Sequence, residues 1–293
     1  MANANGWGDG ASNNNIGWGK GADNAIGWGS VYSVSEAGAT DIIGTPAVDP
    51  DAQSFITAAA ITDATQQSAI NTLVVDLKGY SIWDKMKALY PFVGGTSTST
   101  SYNLKNTAQY QIAWNGGWTW GANGVNGNAA NSYGNTGFIP SAVTAQNSFA
   151  YGFYSRTNND SLTVDIGGVG SNGIYDVFYA RYLNSIYNTI NSGLIYTTSA
   201  NTNSQGFYIG SRTAATTIKN YKNGTLLTTG TTASSGNVNG TLYIGGFNNN
   251  TLLQYSTNRQ YALFFISDGL TDTEAANLST AVQAFQTTLG RNV

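Results

Sequence analysis

The chain has 293 residues with no histidine, no cysteine, 36 glycines, 18 tyrosines, 7 tryptophans, 9% charged residues and a net charge of −3. Lack of cysteine removes disulfides, thiolate nucleophiles and Cys-ligated zinc, and lack of histidine removes Ser-His-Asp and Cys-His mechanisms and the commonest transition-metal ligand. The negative charge argues against wrapping nucleic acid or adhering to an anionic membrane by electrostatics. From the first residues, a Gly-Trp-Gly unit recurs around Trp7, Trp18 and Trp28. Each unit offers one indole among glycines and Asn/Asp, with almost nothing aliphatic to cover it, so the segment cannot build a core of its own. Residues 1–32 therefore read as a docking or oligomerisation strip whose anchors are the three indoles, the alternative being a flexible leader.

Residues 33–95 read as a linker followed by short helices. Gly38, Gly44, Pro46 and Pro50 punctuate the first part. Asp49-Pro50 has the form of an N-cap with proline at the first helical position. Asp63 is the expected cap of a second helix, with Gln66 completing a capping box and Ile70, Leu73, Val74 and Leu77 forming an apolar stripe up to Gly79. A third short helix is expected from Ser81, carrying Ile82, Trp83, Met86, Leu89 and Tyr90 and ended by Pro91. This patch is too small to be stable alone and needs a neighbour to pack on. The GGTSTSTS run at residues 94–101 reads as a linker or loop.

Beyond it lies a succession of short Tyr-, Phe-, Ile-, Val- and Thr-rich runs separated by Gly/Asn/Ser clusters: 110–114, 149–156, 161–167, 175–183, LIYTT, GFYIGSR, TIKNYKNGTLLTT, TLYIGG and QYALFFIS. Asn223-Gly224 is the strongest hairpin signal, and Phe264–Ser267 is apolar on both faces, as in a central strand. Many strands without intervening helices predict a mainly β, antiparallel sandwich over residues 96–293. It closes with a helix opened by the Thr271–Glu274 capping box and ended at Gly290. The high aromatic content contradicts disorder, and the uncharged polar surface suits an exterior protein.

The order YKNGTLL, GTLYIGGFN and RQYALFFISDGLTDTEAANL resembles the last strands of concanavalin A-like, laminin-G-like jelly rolls. More particularly, the segment from Asp49 to Gly95, the SRTN at Ser155–Asn158 and the C-terminal FQTTLGR resemble a virion-protein architecture of tailed bacteriophages, and the Gly-Trp-Gly repeats look like leader segments of such proteins. The resemblance implies a structural virion component, a head or tail fibre or decoration protein, assembled in the host cytoplasm. Other capsid or tail proteins would be its partners. A homo-oligomer is expected, a trimer in particular, because three-fold fibres are common in phages and the repeats need partners.

Jelly rolls of this class also include glucanases and lyases, so fold does not decide activity. Glycoside hydrolysis normally needs two carboxylates on one site. The chain has only two glutamates, Glu36 in the linker and Glu274 in a helix cap. Asp165 and Asp176, on successive strands, are expected on the outer face of a sheet. No catalytic residue is assigned, and the chain is not expected to be an enzyme. Asp160, Asp165 and Asp268 are eligible calcium ligands but show no EF-hand spacing, so neither a metal nor a cofactor is expected. A lectin-like module for a host surface glycan is the rival function. Trp114, Trp118 and Trp120, near Gly116 and Gly117, are its candidate stacking residues; the alternative is that they close the seam between sandwich and helices. No apolar run approaches the roughly twenty residues of a spanning helix, and no signal peptide is visible.

Overall fold

The computed structural model describes residues 47–293. The proposed anchors Trp7, Trp18 and Trp28 lie outside the described residues, as does most of the linker. Residues Val48–Val293 form one compact unit.

Two helices come first, α1 (Pro50–Ala58) and α2 (Ala64–Gly79), then strand β1 (Met86–Tyr90) and a short helix α3 (Ser97–Ser101). Four short strands follow: β2 (Ala113–Asn115), β3 (Thr119–Gly121), β4 (Gly124–Asn126) and β5 (Tyr133–Asn135). One helical turn, α4 (Pro140–Val143), precedes the longer strands β6 (Phe149–Ser155), β7 (Ile166–Val169), β8 (Tyr175–Tyr182), β9 (Ser185–Ser192), β10 (Thr197–Ala200), β11 (Gly206–Ala214), β12 (Thr217–Lys222) and β13 (Thr225–Gly230). The chain ends with β14 (Tyr243–Ile244), β15 (Phe247–Asn249), β16 (Leu252–Gln254), β17 (Gln260–Ser267) and helix α5 (Asp272–Thr288).

These strands make two sheets, and the expected antiparallel sandwich is what the chain forms. The eight-stranded sheet runs β13-β12-β11-β6-β17-β4-β3, with β1 also paired to β17. The nine-stranded sheet runs β10-β9-β8-β7-β14-β5-β2, with the β15–β16 hairpin joined to β7 by a parallel pairing. Alternation distributes each central strand between two cores. On β6, Phe149, Tyr151 and Phe153 fill the space between the sheets, while Ala150 and Tyr154 face the helices. On β17, Phe264 and Ile266 point into the sandwich and Phe265 points out. Helices α1, α2 and α5 bury Phe55, Ile70, Leu73, Leu278 and Val282 against that outward face. The eight-stranded sheet is thus covered on both sides, whereas the outer face of the nine-stranded sheet carries only its own side chains.

Caps behave locally as the sequence requires. The Asp63 carboxylate accepts from the Gln66 amide at 2.8 Å, and Thr271 and Glu274 cap each other's backbone groups. Gln66 does not complete a box; its side chain accepts from the Gly94 amide at 2.8 Å instead. Asn223 and Gly224 take φ of 49° and 81° in the β12–β13 turn, as a type I′ hairpin demands.

Three expectations are corrected. Residues 86–90 are a strand, not a helix: Ala88 and Tyr90 enter the inter-sheet core and Leu89 the helix-facing core, so both faces are apolar because both are covered. The serine and threonine run at 96–101 is a capped helical turn, because its hydroxyls bond back to the backbone, Thr100 to the Thr96 carbonyl at 2.7 Å. Asp165 and Asp176 are fully buried between the sheets rather than on an outer face.

Candidate functional site

Three arginines are fully buried, Arg212 and Arg291 bound chiefly to backbone carbonyls and Arg259 to a mixture of carbonyls and side-chain oxygens. Arg212 donates to Ile190 O at 2.9 Å and Ala215 O at 2.7 Å. Arg291 donates to Phe92 O at 2.8 Å, Pro91 O at 3.1 Å and Ala262 O at 3.1 Å. Arg259 reaches Asn159 O at 3.0 Å, Arg181 O at 3.1 Å and Asp165 Oδ1 at 3.3 Å. These planar forks tie loops to strands and explain why buried charge is tolerated. Their guanidinium NH₂ groups are engaged by protein oxygens, which makes them structural.

The buried carboxylates do not converge. Asp165 sits against Arg259 and the Tyr261 hydroxyl, which donates at 2.5 Å. Asp176 accepts from the Asn191 amide at 2.7 Å, and its Oδ2 has no partner among the described residues. Burial pushes the Asp176 carboxyl up to about 7. Asp160 and Asp268 are engaged by Arg181 at 3.6 Å and Lys87 at 2.8 Å. Among the described residues no cluster of three or more Asp and Glu is arranged to hold a metal ion.

Of the tryptophan cluster, Trp118 is buried, and Trp114 and Trp120 are half-buried against the inter-sheet core. Trp118 is 4% exposed, and Trp114 packs 4.9 Å from Trp118 and 6.4 Å from Trp120. Trp114 lies on β2 of one sheet and Trp120 on β3 of the other, so the rings close the end of the sandwich between its sheets, not its junction with the helices. A Cβ on Gly245 would meet the Trp118 ring at 2.6 Å, so this position seats the indole only as glycine. No ring face of Trp118 is offered to solvent.

Aromatic rings are instead displayed on the outer face of the nine-stranded sheet. On β8, Phe178 and Ala180 point into the sandwich, so Tyr175, Val177 and Tyr179 point outward. Register places Tyr187 of β9 opposite Tyr179. Tyr196 precedes β10 and lies 5.9 Å from Tyr179 and 5.5 Å from Tyr187, nearly perpendicular to both. Phe247 of β15 stacks on Tyr175 at 6.2 Å, with planes 4° apart. The β15–β16 turn, with Asn250 and Thr251 at φ of 47° and 75°, folds Gln254 back opposite Phe247. Together Tyr175, Val177, Tyr179, Leu194, Tyr196, Phe247, Asn249, Gln254 and Tyr255 line a cavity of about 180 Å³. Burial, reinforced by the Tyr196 hydroxyl, raises the Tyr179 pKa, and burial raises that of Tyr196. Both hydroxyls therefore stay protonated near neutrality, able to donate and to accept.

A larger groove of about 780 Å³ lies between the β12–β13 turn and α5. On the α5 side its threonine hydroxyls are spent on their own helix, Thr280 to Ala276 O at 3.1 Å and Thr287 to Gln283 O at 2.8 Å. Its lining has no aromatic ring, whereas the tyrosine cavity combines rings with side-chain amides, which makes the latter the candidate site.

Its residues escape a search for tryptophan near glycine. The available signal is subtler: YDVFYARY puts aromatic residues on both faces of one strand, and the outward ones are tyrosines rather than Val, Ile or Phe. The polar tip marks a ring that meets water.

No protein-family model matches the chain, and no curated protein does. Its fold is similar to solved structures. The binding domain of botulinum neurotoxin DC, solved in complex with rat synaptotagmin II, matches with a TM-score of 0.50 and 12% identity, over 69% of this chain and 52% of that one. A botulinum neurotoxin type C structure, whose cell entry depends upon interaction with two ganglioside molecules, matches with a TM-score of 0.50 and 12% identity, over 69% and 53%. Domain 4 of an extracellular arabinanase from Geobacillus stearothermophilus, solved with arabinotriose, gives 0.45 and 14%, over 67% and 98%. The chain spans about half the length of the neurotoxin chains it matches. At these identities the likeness is one of fold: two antiparallel sheets packed as a sandwich.

Proposed function

We propose that the sandwich is a carbohydrate-binding module and that the tyrosine cavity holds the glycan. The observation that carries this is a ring-lined cavity, with two side-chain amides, on the sheet face that the helices leave uncovered. Sugars bind by laying C–H faces on aromatic rings and satisfying hydroxyls with a few polar groups, and this cavity supplies both. No carboxylate lines it, so the reading is of a binder and not of a glycan hydrolase. Tyr196→Ala and Tyr255→Ala are expected to weaken glycan binding at least about tenfold, roughly 1.4 kcal/mol, on a glycan array followed by calorimetry. Tyr133→Ala, which removes a ring stacked on Tyr243 outside the cavity, should leave binding unchanged. Equal binding by all three variants would remove the cavity from consideration.

We further propose that the module is carried on a bacteriophage virion as a fibre or decoration component, as a homo-oligomer, with Trp7, Trp18 and Trp28 docking it. The virion resemblance and the Gly-Trp-Gly repeats support this reading. Deleting residues 2–30 should leave a folded sandwich with its melting temperature intact that no longer joins particles. Normal incorporation of the truncated chain would sink the docking role.

A further inference from the structure

We infer that the tyrosine cavity selects a single uncharged sugar ring, at the end or a branch of a glycan, over acidic and cationic sugars; this rests on the glycan-binding reading above. The lining contains tyrosines, Phe247, two aliphatic residues and two amides, with no Lys, Arg, Asp or Glu. Arg181, two residues beyond Tyr179 on β8, is turned to Asn158 at 3.0 Å, Asn184 at 2.5 Å and Asp160 at 3.6 Å. A carboxylate entering this cavity would lose its water and find no cation, and it would meet aromatic faces that carry negative charge density.

A cationic sugar is attracted by those same faces, so the rings alone do not exclude it. The amides decide. Phe247, Asn249, Leu252 and Gln254 share a face, because Phe247 pairs with Gln254 and Asn249 with Leu252. Among the described residues, the side-chain amides of Asn249 and Gln254 make no hydrogen bond to protein. Each offers a carbonyl acceptor and an NH₂ donor, and the tyrosine hydroxyls offer both as well. An ammonium group has only donors and leaves the NH₂ groups idle; a carboxylate has only acceptors and leaves the carbonyls idle. A sugar hydroxyl gives and takes at once, which suits every polar group present. Size sets the other limit. A cavity of about 180 Å³ falls below the roughly 300–1,000 Å³ of sites for drug-sized ligands, so one ring is held and further sugars lie outside.

The test is calorimetry of the full chain with neutral hexose and N-acetylhexosamine glycosides, their oligomers, sialyllactose, a uronic acid disaccharide and glucosamine. At least one neutral sugar should bind, with lengthening beyond one ring improving affinity less than about threefold. Both acidic probes and glucosamine should bind at least about tenfold more weakly, and affinity for the neutral sugar should hold between about 50 and 500 mM salt. Tyr196→Ala should abolish the signal. An acidic probe or glucosamine that binds as tightly, in a manner Tyr196→Ala abolishes, overturns the selectivity while leaving the cavity as a binding site. Failure of every sugar to bind overturns both.

Discussion

Replacing Arg259 by methionine is expected to cost the sandwich about 3–5 kcal/mol, the range for breaking a buried ion pair from one side. Arg259 and Asp165 are both fully buried and 3.3 Å apart. Asp165 is further held by the Tyr261 hydroxyl and the Ala180 amide, each at 2.5 Å. Burial raises the Asp165 pKa even with Arg259 and these donors pulling the other way, so the carboxylate depends on its full set of partners. Without the guanidinium, that charge and the carbonyls of Asn159 and Arg181 all lose a donor at once. Arg259→Lys should rescue little, since an ammonium cannot span the separated acceptors that the fork reaches. The double change Arg259→Met with Asp165→Leu should be milder than the single one, because no lone charge remains. Urea unfolding of the three variants at neutral pH measures this. A loss below about 1 kcal/mol for Arg259→Met would show that the pair contributes little.

Stability is also expected to fall as pH rises from about 5 to 8, the reverse of the usual carboxylate effect. Asp176 has one hydrogen bond, from Asn191, and one oxygen with no partner among the described residues. Burial raises its pKa from 3.8 to about 7. A carboxyl with a raised folded pKa holds its proton more tightly folded than unfolded. Its stability is fully present below 3.8 and is lost as pH climbs through about 7. Between pH 5 and 8 the loss is about 2–3 kcal/mol on this reckoning. Asp165 is shifted in the same direction, with Arg259, Tyr261 and Ala180 opposing the effect of burial. Asp49, Asp272 and Glu274 are shifted downward and act below about pH 4, outside this window. Histidine, which usually dominates it, is absent from the chain. Asp176→Asn should flatten the profile and raise the melting temperature at pH 8. A wild-type profile that rises from pH 5 to 8, or one that runs parallel in Asp176→Asn, would refute the assignment.

The sandwich was readable because its longest strands announce themselves. Residues 149–155, 206–212 and 260–267 are apolar on both faces, as strands covered on both sides must be. The helix caps at Asp63 and Thr271 and the Asn223-Gly224 turn were equally legible, because each depends on local chemistry alone. Strand β9 was not. Its sequence SIYNTINS turns Asn188 into the core, where Tyr151 donates to it at 2.9 Å and it donates to Asn220 at 2.7 Å. A buried amide satisfied by distant partners leaves no local pattern. The β8–β9 turn was missed for a similar reason, since Leu183 and Asn184 take φ of 49° and 54° without a glycine. The helical reading holds for the turn at Trp83–Lys85 but failed for residues 86–90, because two-sided burial of a strand also places apolar side chains at helical spacing.

The site was illegible for a geometric reason. Tyr175 and Tyr179 lie on β8, Phe247 on β15 and Tyr196 just before β10, and only the pairing of these strands brings them together. The tryptophans that drew attention are close in sequence and large, which is what sealing the end of the sandwich requires.

The place of β17 governs how the molecule can be made. It pairs with β6 along one edge and with β1 and β4 along the other, yet it follows all three in the chain by more than a hundred residues. During synthesis the eight-stranded sheet must wait, its β6 edge open and rich in aromatic residues, until residue 267 has left the ribosome. Folding is then a late and collective event rather than a stepwise one, slowed by pairings distant in sequence. Ribosome-bound nascent chains stopped before β17 emerges would be caught by chaperones, and those stopped after α5 has cleared the exit tunnel would escape them.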